Sequence, residues 1–414
     1  MRTDLMKAGS MKDTMTIAGR LRASRRSTPA RVAVVLLCVF ALAGCSTIKG
    51  WFGSKKDKGP EPAELTEFAP SVTVSKIWSA KAGKGEGLLG VRQAPAIADG
   101  RVYAAAVKGG VHAFDLQTGA TAWKYDSDLA LSGGPGVGDG LVVVGGLEGD
   151  VIALDAATGA EKWQAKVENE VIAAPAVGQG MVFVRSNDGR VTAFDAATGE
   201  RRWFWSHDMP LLTVRGNDAP SLGPGYVFVG NDDGTISALA VADGRELWSQ
   251  VIGQPDGRTE LERMADVDGT PVLDGVTLYA TSFKRQTLAI EAPSGRPIWA
   301  HDSGGTGRVG VAPDRVVVTD PDGIVWALDK DSGTALWSQP AMARRSLTAP
   351  AVQGDYAVVG DFEGYLHWLK LDTGELAARV RSGRDPLRAA PVVADGILVA
   401  EDTDGGLSAY RLGQ

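Results

Sequence analysis

The stretch AAPAVGQGMVFVRSNDGRVTAFDAATGERRWFWSH, residues 173–207, holds four short apolar runs separated by Gly180, Asn187-Asp188-Gly189 and Thr198-Gly199. Runs this short, rich in Val, Phe and Ala and bounded by Gly or Asp-Gly, read as four strands joined by tight turns. The glycines supply the positive φ that two-residue hairpins require. Asp195 is placed to accept hydrogen bonds from the backbone of the turn that Gly199 closes. Trp203 is large and is expected to pack between neighbouring sheets, with its indole N–H finding a partner.

The pattern returns at intervals of about 40 residues. FDLQTGATAW ends at Trp123, LDAATGAEKW at Trp163, LAVADGRELW at Trp248, IEAPSGRPIW at Trp299 and LDKDSGTALW at Trp337. A further copy, LKLDTGELAA, has Ala378 where Trp is expected. Residues opening each second strand number the units: Gly100, Gly140, Gly180, Gly225, Gly275, Pro313 standing in, Gly354 and Gly396. Radial repetition of four-stranded sheets is a β-propeller, which leaves only short protected edges. The expectation is an all-β, eight-bladed propeller over residues 72–414. The last copy stops after three strands. SVTVSKIWSAK (71–81) carries Trp78 in register and is expected to complete that blade and close the ring.

The amino end reads as a targeting segment. Arg20, Arg22, Arg25, Arg26 and Arg31 precede a 12-residue apolar run, Val32 to Ala43, too short to span a bilayer. Leu42 to Cys45, LAGC, resembles a bacterial lipobox. That resemblance implies a signal peptide over 1–44, cleavage before Cys45, and acylation of Cys45. Ser46 implies the outer membrane. Cys38 lies in the signal, so no internal disulfide is expected. Residues 45–71, with Lys55-Lys56-Asp57-Lys58, read as the lipidated Cys and a flexible tether.

Net charge is −7, and removing residues 1–44 leaves 35 basic against 48 acidic residues, net −13. An acidic body argues against nucleic acid. His112, His207, His301 and His367 fall in different repeats without ligand spacing, so no metal is expected. Asn231-Asp232-Asp233-Gly234, Asp320–Gly323 and Asp402–Gly405 lack the distal Glu of a calcium loop and read as hairpin turns. Gly305–Gly310 matches G-x-G-x-x-G without a following helix. No nucleophile elbow, zinc motif or phosphate loop is present. Neither catalysis nor a cofactor is expected.

Function is sought where the repeat breaks. Eleven residues separate Trp123 from Pro135 and Trp163 from Pro175, and twelve separate Trp337 from Pro350. Sixteen separate Trp203 from Pro220, and 22 separate Trp248 from Pro271. The two long connections are neighbours and leave a propeller on one face, where loop length collects binding function. The first contains Met209-Pro210-Leu211-Leu212-Thr213-Val214-Arg215. In the second, Leu261, Met264 and Ala265 could share one face of a short helix.

The lipobox, the tether, the eight blades, and the segments LLTVRGNDAP and ELERMADVDGTP together resemble the BamB family of outer-membrane protein assembly lipoproteins. The blades are similar to the PQQ-like repeats of quinoprotein dehydrogenases. The resemblance implies a non-catalytic scaffold facing the periplasm, bound to the POTRA domains of BamA and aiding delivery of outer-membrane proteins. The family's contact residues for that partner fall on Leu212, Val214, Arg215, Asp266 and Asp268. Leu212 and Val214 would be apolar anchors. Arg215 would bond carboxylates or carbonyls, either of the partner or of Asp266 and Asp268. Two rival readings are a quinoprotein-type dehydrogenase and a propeller that binds a small ligand or cell-wall polymer.

Overall fold

The computed structural model describes residues 61–85, 91–213, 219–305 and 307–413. The signal segment, Cys45, the tether up to residue 60, Val214 and Arg215 lie outside the described residues. Thirty-two strands, from β1 (Val74–Lys81) to β32 (Gly406–Leu412), form eight four-stranded antiparallel sheets. Seven are built from consecutive strands, spanning 96–125, 131–166, 176–206, 221–251, 272–301, 310–339 and 351–381. The eighth joins three strands of 392–412 to β1 from the other end of the chain. Val74 pairs with Leu412, Trp78 with Ala409 and Lys81 with Gly406, so the two ends close the ring as the sequence predicts.

Local turn chemistry forms each blade. Asp195 Oδ1 accepts from the N–H groups of Ala197 and Thr198, each at 3.0 Å, and Gly199 follows at φ 73°. Asp115 and Asp155 cap their turns the same way. Between first and second strands, Gln179 and Gly180 both take positive φ, the type I′ geometry of a two-residue hairpin. In the sixth blade that turn is Ala312-Pro313-Asp314-Arg315, where Pro sets the negative φ of a common turn instead.

The blades are held together by their tryptophans. Trp163 Nε1 donates to Ala196 O of the next blade at 2.9 Å, and its ring lies on Gly199, where a Cβ would come within 2.7 Å of the indole. Only glycine fits there, because the turn needs positive φ and the indole occupies the Cβ position. The same pairing joins Trp78 to Gly119, Trp123 to Gly159, Trp203 to Gly244, Trp248 to Gly295, Trp299 to Gly333 and Trp337 to Gly374.

The eighth interface is different, and Ala378 is the reason. A Trp there would rest on the turn between the third and fourth strands of blade eight. That turn does not exist, because the fourth strand is β1. Buried Trp368 fills the gap instead. Its Nε1 donates to Gln353 Oε1 at 2.8 Å, its ring meets Tyr410 edge-on, and Gln353 Nε2 donates to Tyr410 O at 3.1 Å.

Residues 61–71, read from sequence as part of a flexible tether, are fixed along blade seven. Arg344 Nε donates to Glu61 O at 2.8 Å, Ala63 N to Ala343 O at 2.9 Å, and Arg345 Nη1 to Ala63 O at 3.1 Å. Arg379 Nη1 donates to Thr66 O at 2.9 Å, and its guanidinium lies over the Phe68 ring. Ser71 N donates to Ala377 O at 2.8 Å. Beneath this strap lies a buried polar network. Asp361 Oδ2 accepts from Arg345 Nε at 2.8 Å and from His367 Nε2 at 3.0 Å. That donation leaves His367 Nδ1 to accept from Arg379 Nε at 3.2 Å.

Candidate functional site

The two long connections leave blades three and four on the face that also carries the turns 187–189, 231–234 and 282–285. Their stems are joined, since Ala219 N of the first donates to Thr270 Oγ1 of the second at 3.1 Å.

The first connection begins at His207, whose N–H donates to Gly189 O and whose ring stacks on Trp205. His207 Nε2 meets Asp233 Oδ2 at 2.8 Å, and this bond to a carboxylate holds the imidazole pKa above its ordinary value. The chain then turns outward. Leu211 is 91% and Leu212 42% exposed, an apolar tip in solvent.

The second connection folds around one helical turn, α1 (Glu260–Arg263). Its start is a capping box, with Glu262 N donating to Thr259 Oγ1 and the Glu262 carboxylate accepting from Thr259 N. Lys284 Nζ, donating to Asp256 O at 2.9 Å, ties this turn to blade five. The expected apolar face of Leu261, Met264 and Ala265 is not formed. Leu261 is 67% exposed, Met264 has left helical geometry, and Ala265 is buried. One turn is too short to align three residues, and the chain straightens at Met264 to enter the ring.

From Ala265 to Asp268 the segment is wedged between two turns. Val267 N donates to Asn231 O of blade four, and Phe283 N of blade five donates to Asp266 O. Asp266 and Asp268, assigned from the family pattern to partner contact, are therefore inside. Asp266 is fully buried and Asp268 is 5% exposed. Neither carboxylate reaches the outer surface, because neighbouring turns cover both sides of the segment. Asp232 lies beside them, and one carboxylate oxygen from each of the three falls within 4.8 Å of the others. Burial, followed by the negative charges of Asp266 and Asp232, pushes the Asp268 carboxyl up to about 8, against the pull of Arg185 and Arg92. Arg185 Nη2 donates to Asp232 Oδ1 at 3.2 Å.

Two residues of this site were not singled out from sequence. Leu211 is one of several apolar residues in 209–214, and its neighbours in sequence do not set it apart. Asp232 was read as a turn residue, although a doubled Asp in that turn is unusual among the blades. On the ring axis lies a cavity of about 670 Å³, whose lining includes Arg92, Arg308, Arg388, Asp268 and Phe283.

A family profile described as "Outer membrane protein assembly factor BamB" matches residues 73–130, 107–339 and 321–412. The chain belongs to the BamB family. It is 64% identical over 397 residues to the outer membrane protein assembly factor BamB of Xanthomonas campestris pv. campestris, covering 93% of this chain and 98% of that one. The crystal structure of BamB from Moraxella catarrhalis superimposes with a TM-score of 0.74 at 27% identity, covering 82% of this chain and all of that one. A quinohemoprotein alcohol dehydrogenase from Comamonas testosteroni superimposes with a TM-score of 0.62 at 17% identity, covering 81% of this chain and 76% of that one. That second likeness is one of fold alone. Like its BamB relatives, the chain is an outer-membrane protein assembly factor and not an enzyme.

Proposed function

We propose that this BamB-family propeller is a lipid-anchored scaffold on the periplasmic side of the outer membrane, docking the POTRA domains of BamA through its two long connections. The observation that carries this reading is the joined pair of loops presenting Leu211, Leu212 and Leu261 to solvent on one face of a rigid ring. Exposed apolar anchors on a rigid support suit a protein interface, where a few side chains carry most of the energy. Val214 and Arg215 follow directly in sequence and belong to the proposed contact. Asp266 acts from inside, its backbone carbonyl holding the stem of the second loop to blade five, and Asp268 lies buried beside it.

Changing Leu211 and Leu212 together to Asp is expected to weaken capture of BamA from detergent-solubilised envelopes roughly 30-fold, the loss of about 2 kcal/mol typical of an anchor. Thermal unfolding should barely move, because neither side chain is buried. Undiminished capture would remove these loops from the interface.

The anchor proposed is Cys45. Sixteen peptide steps separate it from Glu61, where the strap meets the connection between blades six and seven. Fully extended, they reach roughly 55 Å. Labelled palmitate is expected to enter the parent protein and not a Cys45→Ala variant. Equal labelling of both would refute lipidation at this residue.

A further inference from the structure

Asp232 belongs to a hairpin turn of blade four, and Asp266 and Asp268 to the wedged stem of the second long connection. The fold brings them together across 34 to 36 positions of sequence. One oxygen from each lies within 4.8 Å of the others. Oxygen ligands of calcium sit about 2.3–2.6 Å from the ion, so two on opposite sides are roughly 4.6–5.2 Å apart. Magnesium demands near-ideal octahedral geometry and keeps several of its waters, so a buried set of protein carboxylates suits calcium better.

A second observation points to a ligand. Asp268 is 5% exposed, and neither of its carboxylate oxygens has a hydrogen-bond partner. Buried carboxylates are ordinarily paired, hydrogen-bonded or bound to a metal. Arg185 and Arg92 are the positive charges that act on Asp268. Arg185 bonds Asp232, and both Arg185 and Asp266 are engaged in further polar contacts. Nothing among the described residues gives the Asp268 oxygens a donor.

We propose that Asp232, Asp266 and Asp268 bind one divalent cation of calcium's size. The ion ties the stem of the second loop (264–268) to the turn of blade four (231–234), and Asp268 supplies the ligand that has no other role in the fold. Its function is structural, fixing the base of the loop that carries α1 and Leu261. The proposal does not depend on the docking reading, because binding of the bare ion can be measured without any partner.

The test uses the full chain in detergent, stripped with EDTA and desalted, and titrated with calcium chloride or magnesium chloride by calorimetry and thermal unfolding. Calcium is expected to bind at one site with a dissociation constant on the order of 10⁻⁴ to 10⁻³ M, the range of extracytoplasmic calcium modules. It should raise Tm by roughly 2–4 °C at saturation, with a smaller response to magnesium. Asp268→Asn should stay folded by circular dichroism and lose the response. Asp404→Asn, in an exposed turn of blade eight, should keep it. No response up to about 10 mM calcium, ten times the weak end of that range, would overturn the proposal. So would an equal response in Asp268→Asn, or loss of the response in Asp404→Asn.

Discussion

Replacing Trp78 by alanine is expected to destabilise the ring by about 3–5 kcal/mol, the usual loss for a large buried aromatic side chain. For a domain of this size that corresponds to a fall in Tm of about 4–7 °C. The effect is large because Trp78 serves two interfaces at once. It lies on β1, the strand that completes blade eight, where it pairs with Ala409. Its indole also covers Gly119 of blade one and donates to Leu116 O at 2.8 Å. Losing it weakens both closure of the ring and the seam beside it. The reverse change at the odd interface should not help. Ala378→Trp restores the repeat consensus, yet it is expected to destabilise by about 1–3 kcal/mol, because Ala378 is buried and blade eight offers no turn to receive an indole. Thermal unfolding of both variants checks this. A stabilising Ala378→Trp would refute the account of the eighth interface.

Asp361→Ala is expected to cost about 3–5 kcal/mol, since it strips the shared acceptor from two buried groups, Arg345 and His367. Limited proteolysis should then cut within residues 61–71 faster than in the parent, because Arg345 is also a clamp of the strap. Unchanged protection of that segment would mean that the strap is held independently of the network. The same groups give the parent protein an acid sensitivity whose sign follows from burial. Burial lowers the His367 pKa, outweighing the support of Asp361, so the folded state keeps this ring neutral. The His367 contribution is therefore constant above the unfolded imidazole value near 6.5, and it lowers stability as pH falls below that value. Burial acts to raise the Asp361 carboxyl, but the bonds from His367 and the surrounding donors prevail and hold it below its ordinary value. Its contribution is present above about pH 4 and is lost as pH falls through the lower folded value. These two groups should bend melting temperature against pH near 6.5 and again below 4, on top of the stability that the raised Asp268 carboxyl takes away as pH rises from about 4 towards 8.

Most of the fold was legible because propellers are written in local chemistry. Asp195 and Gly199 specify a turn from their own neighbours in sequence, and Trp203 recurs at a fixed distance from that turn. The eighth blade was legible because its missing strand left a visible remainder, Trp78, at the other end. The two long connections were legible as excess length. Their contents were less so. The family pattern marked Asp266 and Asp268, but charged residues are ordinarily exposed, and no local signal shows that turns from two blades close over them. The strap could not be read at all. Residues 61–71 have the composition of a linker, and what fixes them is the donation of Arg344, Arg345 and Arg379, some 280 to 313 positions away, to their backbone carbonyls.

By itself, then, the sequence determined the repeating unit, the number of blades, the closure of the ring and which connections are enlarged, because each depends on residues within about one repeat or on a count of repeats. The tertiary structure alone decided which charges are inside. Burial of Asp266 and Asp268, the neutral state of His367, and the clamping of the strap all depend on groups that meet only when neighbouring blades pack, and desolvation acts on what surrounds a side chain rather than on what precedes it in the chain.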